Sequence, residues 1–393
     1  MPVPNRSQRF PPLLSILTVS ALLASCSTVN AEDPPRKPHH RPGGFQNNYL
    51  DFAPKTIGDL LRWKIDASRD DLPLPPRTPT PTVTADTAFI QANGRAGATA
   101  MQPAITWIGH ATVLAQLGGL NVITDPAFSE RVSPLSFVGP KRHVAPGLAL
   151  GALPHIDLVL ISHNHYDHLD DPSVRALAKQ AGGPPLFVVP LGIKSWLAER
   201  EITNVVELDW WQSHAVAGSA GPVEVVLTPV QHWSGRGLGD RLKTLWGGYA
   251  VFAPDLHLFF SGDTGYSQDF KDIGARFAWR HAAARGGGFD IALIAIGAYE
   301  PRWFMTSQHV NPAEAVQVHL DIGAKRSLGI HWGTFELTDE SLDQPPIDLA
   351  ASRRAKGVAD DSFFVMAIGE TRKLPRRGAP EPRTAESVQG SSR

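Results

Sequence analysis

The sequence predicts a layered α/β domain in which two β-sheets pack together and helices cover the outside. Three observations predict it. Short β-rich runs recur through the middle of the chain, each closing in a Gly, Asp or His turn. Helical stretches with usable caps lie between several of them. Hairpin-like runs come first and strands alternating with helices come later, the order expected of layered α/β architecture. With 393 residues, 42% of them hydrophobic, and a formal net charge of -1, the chain is long enough for one large core or two modest ones, and one globular domain with tails is expected.

The expected strands are, in order, ITWIG (105–109), TVLAQL (112–117), LNVIT (120–124), DLVLIS (157–162), VEVVLT (223–228), HLFFSG (257–262), DIALIAI (290–296) and KRSLGI (325–330). One helix is expected from Pro172, with Asp171 as its cap and Gly182 as its stop; a second follows Asn311-Pro312 and ends at Gly323. Proline suits a first helical turn because its missing N–H has no partner there anyway, and glycine suits the left-handed exit.

The ends of the chain read differently. Arg6 and Arg9 precede the apolar run Leu13–Ala24 and then Ser25-Cys26, the form of a secretory signal over residues 1–25. That run is too short for a membrane-spanning helix. Leu23-Ala24-Ser25-Cys26 resembles a bacterial lipobox, so Cys26, the only cysteine, is expected to carry a lipid that holds the protein at a bilayer. Ser27, where an Asp would retain a lipoprotein, favours the outer membrane of the cell envelope over the inner. Residues 26–100 are Pro-rich and read as a tether, ordered in places: Ile57–Ile65 has helical spacing, and Tyr49, Phe52 and Trp63 are available to pack on the domain. The domain itself is expected over 101–371, with a basic, Pro-rich, disordered tail over 372–393. The near-neutral charge and the lack of a basic cluster beyond short runs such as Arg376-Arg377 exclude a binder that works by neutralising nucleic-acid phosphates.

The chemistry is concentrated in DLVLISHNHYDHLDD, where an apolar strand runs straight into His163, His165, Asp167 and His168. So many imidazoles and carboxylates cannot be buried unpaired; they meet solvent or metal. Alternate residues of an extended turn project to one side, so His163 and His165 can converge on one cation, while Asp167 and His168 address a second. Neutral imidazole with carboxylate suits Zn²⁺. Three more candidates stand at the ends of apolar strands: His232 after VEVVLTPVQ, Asp263 after HLFFSG and His331 after RSLGI. No nucleophile elbow or phosphate-binding glycine loop is present, and GRGLGD (235–240) opens no clear helix.

This placement of ligands along one rim resembles the metallo-β-lactamase superfamily, and implies a four-layer αβ/βα sandwich. The resemblance assigns His163, His165 and His232 to one metal, Asp167, His168 and His331 to the other, and Asp263 to a bridging position. Two Zn²⁺ about 3.5–4 Å apart would supply an activated water as nucleophile. The region from Ile105 to Glu370 further resembles the N-acyl-phosphatidylethanolamine-hydrolysing phospholipase D branch, through WIGHATVL, TDPAFS, SPLSFVGPKR, VELDWW, TPVQHW, GDTGY, IGAYEPRWFM with HVNPAEAV, and IHWGTFELTDE.

That branch implies a phosphodiesterase giving phosphatidic acid and an N-acylethanolamine from a phospholipid at a membrane surface, and it allows a homodimer. Under it, His309 is the candidate proton donor, Gln308, Tyr299 and Trp303 are candidate substrate contacts, and Asp125 and His110 are candidate orienters of the ligands. Trp210, Trp211, Trp303, Phe304 and Met305 line an acyl groove, face a membrane or pack in the core. The stretch AWRHAAARGGG (278–288) reads as an insertion. The competing readings are another hydrolase on the same site, such as a lactonase or a different phosphodiesterase, and a non-catalytic binding lipoprotein.

Overall fold

The computed structural model describes residues 37–50, 55–97, 100–135, 137–237, 239–282 and 287–377. Cys26 and the apolar leader lie outside the described residues. Among these residues no helix is long and apolar enough to cross a membrane.

The chain opens with a two-stranded hairpin, β1 (His40–Arg41) and β2 (Gly44–Phe45), followed by helices α1 (Ile57–Arg69) and α2 (Thr87–Gly94). The first large sheet is then built from β3 (Ala104–Gly109), β4 (Thr112–Leu117), β5 (Leu120–Thr124), β6 (Leu158–Leu160), β7 (Leu186–Pro190) and β8 (Val205–Leu208), with α3 (Asp171–Ala178) and α4 (Ile193–Ala198) between its later strands. The second contains β9 (Ser213–Gly218), β10 (Gly221–Thr228), β11 (Gly248–Phe252), β12 (His257–Phe260), β13 (Ile291–Ala295), β14 (Ser327–Ile330) and β15 (Phe363–Phe364), with α5 (Asp269–Phe277), α6 (Arg302–Met305), α7 (Pro312–Asp321) and α8 (Gln344–Lys356). A last strand, β16 (Thr371–Lys373), returns to the first sheet beside β3.

Both sheets follow one plan. The first runs antiparallel from β16 through β3 and β4 to β5, then parallel through β6 and β7 to β8. The second runs antiparallel from β9 through β10 and β11 to β12, then parallel through β13 and β14 to β15. Hairpins suffice for the antiparallel half, whereas parallel neighbours need crossovers, and the crossovers supply the helices.

One core cluster joins inward residues of both sheets, among them Val113, Leu158, Tyr249 and Phe260, and extends to Phe270, Val316 and Leu349 on α5, α7 and α8. A second cluster packs Ile90, Val174, Leu177, Ile193 and Leu197 of α2, α3 and α4 on the other face of the first sheet. The result is the four-layer sandwich expected. Most strand residues are buried on both faces, which is why they read as continuous apolar runs. The Tyr249 hydroxyl of β11 lies 2.8 Å from the Ile161 carbonyl and 2.9 Å from that of Val188, joining the sheets just below the histidine-rich loop.

Three expectations are corrected. The cap of α3 is Asp170, with Asp171 already its first residue; Asp170 accepts from Ser129 and Ser173 instead of from the helix backbone. Residues 372–377 are ordered, although a disordered tail was expected from 372. β16 covers the edge of β3, Leu374 N–H donates to Pro103 O at 2.8 Å, and Arg377 pairs with buried Asp290 at 2.9 Å. The segment 38–97, expected to be a partly ordered tether, docks on the domain at several points along its described length. Trp63 of α1 stacks on Phe304 with centroids 4.8 Å apart and donates to Asp339 at 2.7 Å, and Phe45 N–H donates to Leu242 O at 2.8 Å.

Candidate metal centre

The parallel halves of the sheets turn their C-terminal strand ends to one rim, where open α/β sheets place their ligand sites. The loop after β6 delivers His163, His165, Asp167 and His168; the segment beyond β10 delivers His232; Asp263 follows β12 and His331 follows β14. All seven are brought together.

They form two groups. In the first, His163 Nε2 and His165 Nδ1 are 2.8 Å apart and His232 Nε2 is 3.4 Å from the same His165 nitrogen. In the second, Asp167 Oδ2 lies 3.2 Å from His168 Nε2 and 3.4 Å from His331 Nε2. Asp263 stands between them. Its Oδ2 is 3.0 Å from His168 Nε2 and 4.0 Å from both His163 Nε2 and His232 Nε2, while its Oδ1 is 3.1 Å from His331 Nε2.

Nitrogen atoms facing one another at such distances, with several buried donor atoms lacking any hydrogen-bond partner, have the geometry and chemistry of a metal-ligand set. The partnerless atoms include His168 Nε2, His331 Nε2 and Asp263 Oδ1. His163, His165 and His232 meet the requirement of three convergent donors, as do Asp167, His168 and His331 together with His110. Imidazole and carboxylate donors in three-residue groups fit divalent zinc or a similar borderline ion.

The electrostatics differ between the groups. Burial, reinforced by the neighbouring histidines, holds His163 and His165 well below the ordinary imidazole pKa, so both are neutral and available as ligands. Around His168 and His331 burial also opposes protonation, but the carboxylates outweigh it. Asp263, Asp167 and Asp125 draw His168 well above its ordinary value, and Asp263 and Asp167 raise His331 to about 9. Burial likewise opposes ionisation of Asp167 and Asp263, yet the cationic neighbours, His168 foremost, hold both well below the usual carboxylate range. This side of the centre is built to hold positive charge, which a divalent ion supplies.

The second nitrogens of His163, His168 and His232 are held as well, which selects the tautomer that points a lone pair inward, whereas His165 Nε2 and His331 Nδ1 have no hydrogen-bond partner. His232 Nδ1 is 2.9 Å from the Gln308 carbonyl. His168 Nδ1 is 2.6 Å from Asp125 Oδ2, and Ser162 donates to the same oxygen at 2.5 Å while lying 2.9 Å from His163 Nδ1. One buried carboxylate, Asp125, thus contacts His168 directly and His163 through Ser162. His110 Nε2 reaches Asp167 at 2.9 Å, and its carbonyl accepts from the His331 N–H at 3.0 Å. His110, Asp125 and His331 all occupy the left-handed backbone region, at φ 54°, 32° and 64°. Strained backbone of this kind persists where surrounding structure over-determines it, as at functional sites.

The remaining candidates divide. His309 is at the centre: its Nδ1 is 3.9 Å from Asp263 Oδ2 and has no hydrogen-bond partner, and burial lowers its pKa to about 3. Gln308 reaches the centre through its backbone carbonyl; its side-chain nitrogen lies against Met305 Sδ at 3.2 Å. Tyr299, expected to orient substrate, is buried with its hydroxyl donating to Asp348 at 2.5 Å, so that group is already occupied. Trp303 is 42% exposed and lies under the Arg62 guanidinium. Trp210 belongs to the core and donates to Trp246 O at 2.6 Å, while Phe304 and Met305 pack on Trp63. Ser162 escaped the sequence reading because one serine before a histidine carries no signal of its own.

The Beta-lactamase superfamily domain model matches residues 120–332. Over 274 residues the chain is 40% identical to N-acyl-phosphatidylethanolamine-hydrolyzing phospholipase D 1 of Caenorhabditis elegans, covering 67% of this chain and 74% of that one. It is 37% identical over 357 residues to an uncharacterized protein of Mycobacterium bovis, covering 87% and 86%. Among solved structures, isothiocyanate hydrolase from Delia radicum gut bacteria shares the fold with a TM-score of 0.53 at 18% identity, covering 69% of this chain and 99% of that one. With this fold, this donor set and these relatives, the chain belongs to the metallo-β-lactamase superfamily, as a metal-dependent hydrolase related to the N-acyl-phosphatidylethanolamine-hydrolysing phospholipases D.

Proposed function

We propose that this protein is a dizinc phosphodiesterase of the phospholipase D type, which hydrolyses N-acyl-phosphatidylethanolamine or a related glycerophospholipid to phosphatidic acid and an N-acylethanolamine. The observation that carries the proposal is the convergence of both three-donor groups on Asp263 in a chain 40% identical to a protein named for this reaction. Two bound Zn²⁺ would lower the pKa of water and take up charge developing on phosphoryl oxygens.

The chain's own residues supply the rest. His163, His165 and His232 would hold one cation and Asp167, His168 and His331 the other, with Asp263 between the two groups. Ser162, Asp125 and His110 keep those side chains in register. His309, unpartnered and beside Asp263, is the group that faces the leaving alkoxide and manages its proton.

A membrane-surface substrate is supported by α1. Ile57, Leu60, Leu61 and Ile65 are exposed on it, Trp303 is exposed beside it, and Lys55, Arg62 and Lys64 are interleaved. Apolar and aromatic side chains among basic ones suit the boundary of an anionic bilayer. We read Cys26 as the lipid anchor that keeps the enzyme on the outer membrane of a bacterial envelope, and Cys26→Ala is expected to move it from the membrane to the soluble fraction.

The reading is tested with a mixed lipid extract, comparing products of the wild type and Asp263→Asn by mass spectrometry. Phosphatidic acid and N-acylethanolamines are expected from the wild type alone. Equal product profiles would reject lipid hydrolysis at this centre. His309→Ala is expected to bind both cations but to lose turnover by roughly 10²–10⁴-fold, the range for a positioned acid or base; unchanged turnover would remove His309 from the chemistry.

A further inference from the structure

The hairpin and the residues after it form a strap across the domain, and one of its side chains reaches the metal centre from outside the stretch matched by the family model, residues 120–332. Asn47 is 6% exposed. Its Nδ2 donates to the His232 carbonyl at 3.0 Å, and its Oδ1 accepts the His232 N–H at 3.0 Å. The same Oδ1 lies 3.2 Å from the indole Nε1 of Trp246. The carboxamide thereby does for His232 what a neighbouring strand would do, satisfying both backbone groups of a single residue.

His232 needs such a partner. β10 ends at Thr228, so His232 stands four residues beyond its strand, in a loop buried at 0% exposure. Unpaired backbone there would be costly, and a loop backbone free to shift would carry the imidazole with it. Three contacts fix the residue: Asn47 on the amide, Asn47 on the carbonyl, and Gln308 O on Nδ1. Nε2 is then left to face His163 and His165.

The strap is held independently on either side of Asn47. Toward the N-terminus, His39 Nε2 and His40 Nε2 bond the two carboxylate oxygens of Asp209 at 2.7 and 3.0 Å, and the His39 ring lies on Trp210 with centroids 4.4 Å apart. Those lengths are ordinary hydrogen bonds, so this cluster reads as a clasp. Gly44 allows the close approach to the domain, since a Cβ there would come within 2.1 Å of Leu242 O. Beyond it, Asn48 donates to Asp269 at 2.8 Å.

We propose that Asn47 is a positioning residue for the metal centre: its carboxamide sets the backbone from which His232 is presented, so that this one side chain governs affinity for the cation held by His163, His165 and His232. This rests on His232 being a metal ligand.

The full-length protein, loaded with Zn²⁺, is titrated with a chromophoric chelator, and thermal unfolding is recorded alongside. Asn47→Ala is expected to weaken, by roughly 10–100-fold, the same Zn²⁺ that His232→Ala loses, the usual effect of removing a residue that orients a ligand. Asn47→Asp keeps the acceptor for the His232 N–H but loses the donor, and is expected to fall between Asn47→Ala and the wild type; it also serves if Asn47→Ala does not fold. His40→Ala opens the clasp without touching His232, and is expected to lower the melting temperature while leaving the chelator titration unchanged. His232→Ala is expected to lose one Zn²⁺. An Asn47→Ala titration that superimposes on the wild type while His232→Ala loses Zn²⁺ would overturn the proposal alone. Equal losses in Asn47→Ala and His40→Ala would also overturn it, because the effect would then belong to docking of the strap. Full Zn²⁺ content in His232→Ala would overturn the ligand assignment and the proposal with it.

Discussion

Gly262 stands at φ +56° immediately before Asp263, and a Cβ placed on it would approach the Ser162 Cβ to 2.6 Å. Ser162 in turn touches both Asp125 and His163. A methyl group at Gly262 therefore pushes, through Ser162, on His163 and on the carboxylate that contacts His168. Gly262→Ala is expected to destabilise the fold by about 1–3 kcal/mol, as overpacking does, and to lower the Zn²⁺ content; urea denaturation and metal analysis report the two effects, and wild-type values of both would contradict the contact. Asp125 gives a cleaner case because its carboxylate is fully buried against Ser162 and His168. Asp125→Ala removes the partner of His168 Nδ1 and is expected to weaken Zn²⁺ binding by roughly 10–100-fold, read by chelator competition.

Among the elements, α7 and α1 differ in how they are held. α7 begins with a capping box in which Asn311 accepts from the Glu314 N–H at 2.9 Å and Glu314 accepts from the Asn311 N–H at 2.9 Å. The Asn311-Pro312 start expected from the sequence is this cap, because the information is local. Asn311→Ala is expected to cost about 1 kcal/mol. α1 has its own box, Thr56 with Asp59, but its position depends on one buried indole. Trp63→Ala loses the stacking on Phe304 and the bond to Asp339, and about 3–5 kcal/mol is expected from the deletion of a buried aromatic. Limited proteolysis should then cut first around α1; protection equal to the wild type would show that the helix is docked by other contacts.

At the scale of the molecule, the centre draws donors from four loops on two sheets, so cations bound there oppose the separation of the sheets. Ligand that binds only the native state stabilises it by about 2.7 kcal/mol per site at one hundred times its dissociation constant. Stripping the metal with chelator is expected to lower the melting temperature by several degrees, and added Zn²⁺ should restore it. An unchanged melting temperature would mean that the donors are held apart by the scaffold alone. Removal of residues after Glu370 tests the other seam: it exposes the β3 edge and deletes the Arg377–Asp290 pair.

Much of this was legible in order along the chain. Strand existence, the two capped helices, the loop from His163 to His168 and the strand-end positions of His232, Asp263 and His331 all follow from patterns a few residues long: apolar runs, caps, and polar groups too dense to bury unpaired. The strands at 186–190, 205–208, 213–218, 248–252 and 371–373 were not legible, since short runs among prolines, glycines or charges gain their strand character only from neighbours. The same reason governs the side chains. Whether Tyr299 faces substrate or Asp348, whether Trp210 is a groove or the core, and that Asn47 holds His232 from 185 residues away depend on which segments the sheets bring together. Which atoms can bind metal is a property of residue type and short spacing and is read along the chain; which groups hold those atoms in place follows only from the folded arrangement, because their partners are distant in the chain and carry no pattern of their own.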